Sequence, residues 1–364
     1  MRFPEFSGEW ERNELQKVAT LSKGTGISKD QLADSGHPCI LYGELYTKYK
    51  SEIIEEVYSK TQLDAANLVK SQTNDVIIPC SGEAAIEIAT ARCVLPPNVL
   101  LGGDLNIIRL NGHDGGFFAY QLNGKRKVDI AKVAQGVSVV HLYGEHLKKV
   151  KVAYPSLAEQ QKIAEMLSLL DERIATQIKI IEKLESLIKG LCQKLTQQGD
   201  PNTALNECLD CYSSTLQESS VLEAGNYPVY GATGICGYTD TPEVDGDSIL
   251  IIKDGASVGV TYYASGEYSA IGTLNRLIAK GGYSLRYLYY CLKVFNFSPY
   301  RTGLAIPHIY FRDYGKAQIW CPPIEDQNRI ASALEKVEQK IATEKSLLEQ
   351  LYSQKRFLLQ AMFI

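Results

Sequence analysis

The side chains of this sequence that could do chemistry are hydrogen-bond donors grouped in two glycine-rich regions. Lys23 and Thr25 precede the tyrosine-rich stretch Tyr42-Gly-Glu44-Leu-Tyr46-Thr47-Lys48-Tyr49, and Lys125 and Arg126 follow it. A second set, Tyr230, Thr233, Lys253, Ser257 and Arg301, recurs in similar surroundings further along. Arginine and lysine donate to guanine edges and phosphates, and tyrosine and serine reach phosphate oxygens. These residues are the candidate DNA-binding set. Glycine-rich tyrosine loops also make plain surface turns, so both readings stand at this point.

Bond-making chemistry has no comparable footing. An adenine methyltransferase motif, Asp/Asn-Pro-Pro-Tyr/Phe, is missing; Leu95-Pro-Pro-Asn98 and Cys321-Pro-Pro-Ile324 lack both its polar lead and its aromatic end. There is no GxxxxGK[ST] phosphate loop and no HExxH. Cys208-Leu-Asp-Cys211 is the one CxxC, and His37, His113, His141, His146 and His308 do not complete it at ligand spacing, so no metal site is expected. Nine cysteines, odd in number and irregularly spaced in a long chain, read as reduced structural thiols. No catalytic residue and no bound cofactor are expected in this chain.

What must position the donors is an internal duplication. Tyr154 to Leu195 and Cys321 to Met362 are two amphipathic stretches in which Pro155 matches Pro322, Gln160 matches Gln327, and Ile174-Ala175 matches Ile341-Ala342, all at an offset of 167 residues. Upstream, Gly136 to Tyr143 matches Gly303 to Tyr310 at the same offset. A repeat of this kind fixes the architecture before any local assignment. In the first stretch Leu167, Ile174, Ile181, Ile188 and Leu195 occupy position a of a heptad, and Ile163, Leu170, Gln177, Leu184 and Leu191 occupy d. In the second, Leu334, Ile341, Leu348, Lys355 and Met362 fall at a, and Ile330, Val337, Glu344, Leu351 and Leu358 at d. Gln177 and Glu344 are equivalent polar d residues, expected to mark register. Each helix of about 40 residues would be roughly 60 Å long, which exceeds the needs of a domain core. The spacing favours an intramolecular, antiparallel pair over two helices packed separately on their own domains. Prolines in the first turn, followed by Glu159, Glu325 and Asp326, suit helix starts.

The regions before each helix read as strands and loops, with Asp75–Pro79, Leu105–Leu110, Ser248–Ile252, Val258–Tyr263 and Asn275–Ala279 as strand candidates. The expected organisation is mixed α/β: recognition unit 1 over residues 1–153, a helical spacer over 154–198, recognition unit 2 over 199–320, and a second helical spacer over 321–364. Composition is that of a folded soluble protein, with 45% hydrophobic and 22% charged residues. No run of 18 apolar residues and no signal pattern is present, so a cytoplasmic protein without a membrane segment is expected. A net charge of −4 implies that any DNA complex draws much of its phosphate neutralisation from a partner.

Two unlike globular units, each followed by a helix opening Pro-x-[Leu/Ile]-x-[Glu/Asp]-Gln and continuing to Ile-Ala, resemble the specificity subunits of type I restriction-modification systems. Pro155 to Ala164 and Pro322 to Ala331 carry that likeness, with Glu5-Phe-Ser-Gly-Glu-Trp10, Tyr227-Pro-Val-Tyr-Gly231 and Ile252-Lys-Asp-Gly255 in support. The resemblance implies two target recognition domains, each reading half of a bipartite, asymmetric double-stranded DNA sequence, and a coiled coil that sets the half-site spacing. It implies as partners two methyltransferase subunits using S-adenosylmethionine, and restriction/translocase subunits using ATP and Mg, with those cofactors bound by the partners. Alternatives are the recognition half of a single-chain restriction-methylation enzyme, disfavoured by the missing motifs and the Met1 start, and a coiled-coil adaptor whose units bind protein.

Overall fold

The computed structural model describes residues 2–136, 138–303 and 305–363. Met1, Val137, Leu304 and Ile364 lie outside the described residues, Val137 and Leu304 within the matched glycine segments. The chain divides into two compact units, Met1–Ile178 with Ser346–Ile364, and Lys179–Lys345. Each long helix therefore contributes one part to each unit.

In unit 1 the β-branched run of Asp75–Pro79 forms a fully buried strand. It sits at the centre of a five-stranded sheet ordered Ala19–Lys23, Leu105–Leu110, Asp75–Pro79, Arg92–Val94, Ile53–Ile54. All pairings are antiparallel except the last. The short helix Gly115–Asn123 starts at an Asp114 cap whose carboxylate accepts from Phe117 N, and it buries Phe117, Phe118 and Tyr120 in the core beneath this sheet. Met362 and Phe363, from the far end of the chain, are buried in the same core, where Phe363 meets Phe117 at 5.2 Å between ring centres.

Unit 2 repeats the central plan. Its sheet runs Leu209–Ser213, Leu274–Ala279, Ser248–Ile252, Thr261–Ala264, and the short helix Leu285–Lys293 packs against it. The strand expected over Val258–Tyr263 is shorter and later, Thr261–Ala264. Gly259 explains the difference: its φ of +91° breaks the extended path, and Phe297 packs where a Cβ would project.

The helices run Leu157–Thr196 and Ile324–Ala361, so the prolines stand before the first turn and not within it. Their carbonyls are used instead. Gln160 Nε2 donates to Pro155 O at 2.9 Å while its Oε1 accepts from Asp114 N at 3.0 Å; Gln327 Nε2 donates to Pro322 O at 2.8 Å while its Oε1 accepts from Ser284 N at 2.9 Å. The matched glutamines thus bolt the start of each long helix to the N-cap of the short helix in its own unit. A second matched contact lies further along, where Tyr120 donates to Asp171 and Tyr290 to Glu338, both at 2.9 Å. Hydrogen bonds to charged groups contribute about 1.5–3 kcal/mol each.

The heptad positions bury as the period requires. In unit 1 Leu170, Ile174 and Leu351 pack with Ile178, Leu348 and Leu358, and Ile163 and Leu167 join the domain core. In unit 2 Ile188, Ile330, Leu334 and Ile341 pack with Leu184 and Val337. Ile181, Gln177 and Glu344 are also buried. Asp171 pairs with Lys355 and Glu185 with Lys345, so advancing along one helix retreats along the other and the two run antiparallel. Lys355, at an a position, is no gap in the seam: its Nζ lies 2.5 Å from both Glu52 and Asp171.

Candidate nucleic-acid interface

In unit 1 the candidate residues separate into used and available groups. Glu44 is 6% exposed and accepts from Leu41 N at 2.9 Å, from the Ser59 hydroxyl, and from Lys48 at 2.7 Å. The Tyr46 hydroxyl is buried, and that burial pushes its pKa up. The expectation that Glu44 faces a ligand is corrected, because the one-turn helix Glu44–Thr47 buries it; Tyr46 is half-buried, with its hydroxyl enclosed. Thr25 spends its hydroxyl on Val69 N at 2.9 Å, and Thr47 donates to Gly43 O at 3.1 Å. Lys48 is exposed along its stem but its ammonium serves Glu44 and Ser59. Lys23, Tyr42 and Lys125 stand at the surface.

Arg126 belongs to a group that sequence reading missed. It lines a cleft of about 500 Å³ with Arg12, Asn13, Glu14, Lys17, Lys151 and Val152. Antiparallel pairing of Glu11–Glu14 with Lys151–Tyr154 sets Arg12 opposite Ala153 and Lys151 opposite Glu14, so Arg12 and Lys151 are diagonal neighbours, and the helical turn Leu15–Val18 adds Lys17. The sequence places these residues too far apart to signal one another.

In unit 2 three candidates converge. Arg301 donates to Val258 O at 2.9 Å, beside the Lys253-to-Ser257 loop, and Gly255 N donates to Pro307 O at 2.9 Å. Within this group Asp254 meets His308 at 2.6 Å, a pair not anticipated from sequence. Ser257 and Arg301 are exposed and Lys253 is half-buried. Tyr230 and Thr233 lie elsewhere, on and beside a second small sheet, where Tyr230 packs edge-on to Tyr268. Arginine–tyrosine stacks at Arg276–Tyr212, Arg286–Tyr263 and Arg312–Tyr310 add cations held over aromatic faces.

One surface element is common to both units. Gln135 and His141 exchange two backbone hydrogen bonds, and so do Thr302 and His308, each closing a loop that begins at a left-handed glycine, Gly136 or Gly303. Val139 and Tyr143 in unit 1, and Ile306 and Tyr310 in unit 2, project from these matched positions and are exposed. Cys208 is buried and donates to Leu205 O at 3.3 Å, as a structural thiol does. No helix among the described residues is long and apolar enough to cross a membrane.

The whole chain aligns with a crystal structure of the S subunit of a type I restriction-modification system from M. genitalium, at a TM-score of 0.66 and 19% identity, covering 100% of this chain and 99% of that one. A structure from work on complex assembly and conformational transition of the type I R-M system aligns at a TM-score of 0.59 and 16% identity, over 98% of this chain and 97% of that one. At these identities the likeness establishes the fold alone. By sequence, a putative type I restriction enzyme specificity subunit of Haemophilus influenzae is 28% identical over 121 residues, 32% of this chain and 31% of the relative. The type I restriction enzyme EcoprrI specificity subunit of Escherichia coli is 27% identical over 110 residues, 30% of this chain and 27% of the relative. The matches thus span about a third of these curated relatives. The family model for the type I restriction modification DNA specificity domain matches twice, over residues 7–186 and 213–353. With both halves of the duplication matched, the chain belongs to the family of type I restriction-modification DNA specificity proteins.

Proposed function

We propose that this chain is the sequence-reading subunit of a type I restriction-modification complex, that each globular unit reads one half of a bipartite DNA target, and that the antiparallel helices set the number of base pairs left unread. The observation that carries this reading is the combination of a matched scaffold with unmatched donors. The sheets, the short helices and the glutamine bolts recur, whereas Lys23, Tyr42 and Lys125 in one unit give way to Lys253, Ser257 and Arg301 in the other. Two different half-sites call for such a molecule.

A stiff helix pair turns half-site separation into a geometric quantity, as dimer spacing does in other DNA readers. Methylation at adenine belongs to partner subunits that carry S-adenosylmethionine, and cleavage to translocase subunits that carry ATP and Mg. Two methyltransferase subunits serve the two half-sites. This chain supplies recognition and assembly and no reacting group. Because the target base must leave the stack to be methylated, the recognition units help hold the opened duplex.

Mapping methylated bases across the host genome, with and without the gene for this chain, tests the proposal. A gapped, asymmetric motif that loses its methylation when the gene is deleted is expected. Methylation that is unchanged by the deletion, or a contiguous motif, would overturn it.

A further inference from the structure

We infer that the cleft lined by Arg12, Lys17, Arg126 and Lys151 is a seat for the phosphate backbone of double-stranded DNA at the first recognition unit. The inference rests on the DNA-reading function proposed above and adds the place where sequence-independent grip is concentrated.

Arg12, Lys17, Arg126 and Lys151 line this cleft with one carboxylate, Glu14, which stands opposite Lys151 in the strand pair, while Arg126 is paired with Asp129 at 3.5 Å; the chain's net charge is −4. Glu14 is itself engaged by Gln16, whose Nε2 lies 2.6 Å away. Asn13 and Glu11 are turned to a different task, both bonded to the Tyr154 hydroxyl, at 2.7 Å and 3.0 Å. Arg12, Lys17 and Lys151 remain exposed. The paired strands balance Arg12 and Lys151 against Glu11 and Glu14, and Lys17 on the adjoining turn adds the excess positive charge that favours a polyanion.

The fold does not require these charges, and the duplication demonstrates it. In unit 1 Leu15 N donates to Val150 O and Gln16 N to Lys148 O; in unit 2 Leu205 N donates to Ala317 O and Asn206 N to Gly315 O. The same helical turn thus sits on the same strand end in both units. At the positions equivalent to Arg12, Lys17 and Lys151, unit 2 carries Asn202, Glu207 and Gln318. An identical backbone arrangement is held there with none of the three cations. Unit 2 also has Ala204 where unit 1 has Glu14 opposite Lys151, so the charged set as a whole is specific to unit 1. Guanidinium and ammonium groups around an open groove suit phosphate oxygens, which fix register on the duplex and carry no base identity.

The test uses the full chain assembled with its methyltransferase partners and a fluorescent duplex carrying the methylated motif, with binding followed by anisotropy across a salt series. Each phosphate contact adds about 0.9 to the slope of log K against log salt. The double variant Lys17→Ala/Lys151→Ala should lower that slope by about 1.8, while the motif methylated in cells stays the same. Lys17→Arg/Lys151→Arg should keep the slope. Placing cations in the other copy, Glu207→Lys/Gln318→Lys, should raise it. An unchanged slope in the alanine variant overturns the inference, as does a changed motif, which would make the cleft a base-reading site. Loss of a partner subunit with unaltered DNA binding would overturn it in favour of an acidic protein face. Absence of salt-dependent duplex binding by the unmutated chain with its methyltransferase partners would instead strike at the DNA-reading function itself.

Discussion

Replacing Lys355 by methionine removes one ammonium that serves two carboxylates, and the consequence can be worked from the geometry. Lys355 Nζ lies 2.5 Å from Glu52 Oε2 and 2.5 Å from Asp171 Oδ1, with side-chain exposures of 12% for the lysine and 8% for each acid. Burial alone would lower the Lys355 pKa, but the two carboxylates outweigh it and leave it raised, so the ammonium persists. Glu52 is pushed up by burial and by Asp171, with Lys355 opposing. Without the lysine, two buried acids face each other with the buried Arg92 guanidinium as their remaining neighbouring cation. Removing one partner of a buried ion pair costs about 3–5 kcal/mol, equivalent to a urea midpoint about 1.5–2.5 M lower at a slope near 2 kcal/mol per M. Trp10, packed on the unit 1 core, reports that transition once Trp320 is replaced by phenylalanine. The sign with pH follows from the raised carboxyl: its proton is bound more tightly in the folded unit, so stability is greater below the ordinary value of 4.5 and is lost as pH rises through the raised native value. The Lys355→Met deficit should therefore shrink on acidification. Adding Glu52→Gln, which leaves Asp171 beside Arg92, should restore part of the loss at neutral pH. A single-variant loss below about 1 kcal/mol, the range of exposed pairs, would refute the reasoning.

Gln327→Ala strands the Ser284 amide and the Pro322 carbonyl, which should cost about 1–3 kcal/mol and speed hydrogen exchange in Leu285–Lys293; protection equal to the unmutated chain would contradict the bolt. Inserting seven residues after Ile181 should lengthen the gap between half-sites or abolish methylation, and an unchanged gap would remove the ruler role. Of nine thiols, Cys236 is the exposed one, so a thiol reagent should titrate one group rapidly in the native chain and all nine after unfolding; several fast groups would show the other cysteines to be accessible.

The long helices were legible because their burial depends on a period that survives without knowledge of the partner, from Ile163 through Ile188 and again from Ile330 through Leu351. Asp75–Pro79 and Ser248–Ile252 were legible for the complementary reason, as short β-branched runs. The repeated Gln160 and Gln327 were visible, but Asp114 and Ser284, the amides they bind, lie some forty residues away across loops that differ. Lys355 could be placed at a heptad a position, but its partner could not be read, because Glu52 sits at the other end of the chain. Glu44 was misplaced because one helical turn brings a side chain of a polar stretch inward. The cleft was invisible because strand pairing, a long-range event, assembles it.

The central claim is that the two units read separate halves of one target, and exchanging residues 1–153 for the corresponding segment of a family member with a different motif tests it most directly, with methylated bases mapped across the genome. One half of the gapped motif should change while the other half and the gap length persist. A motif left wholly intact, or altered in both halves, would contradict the account.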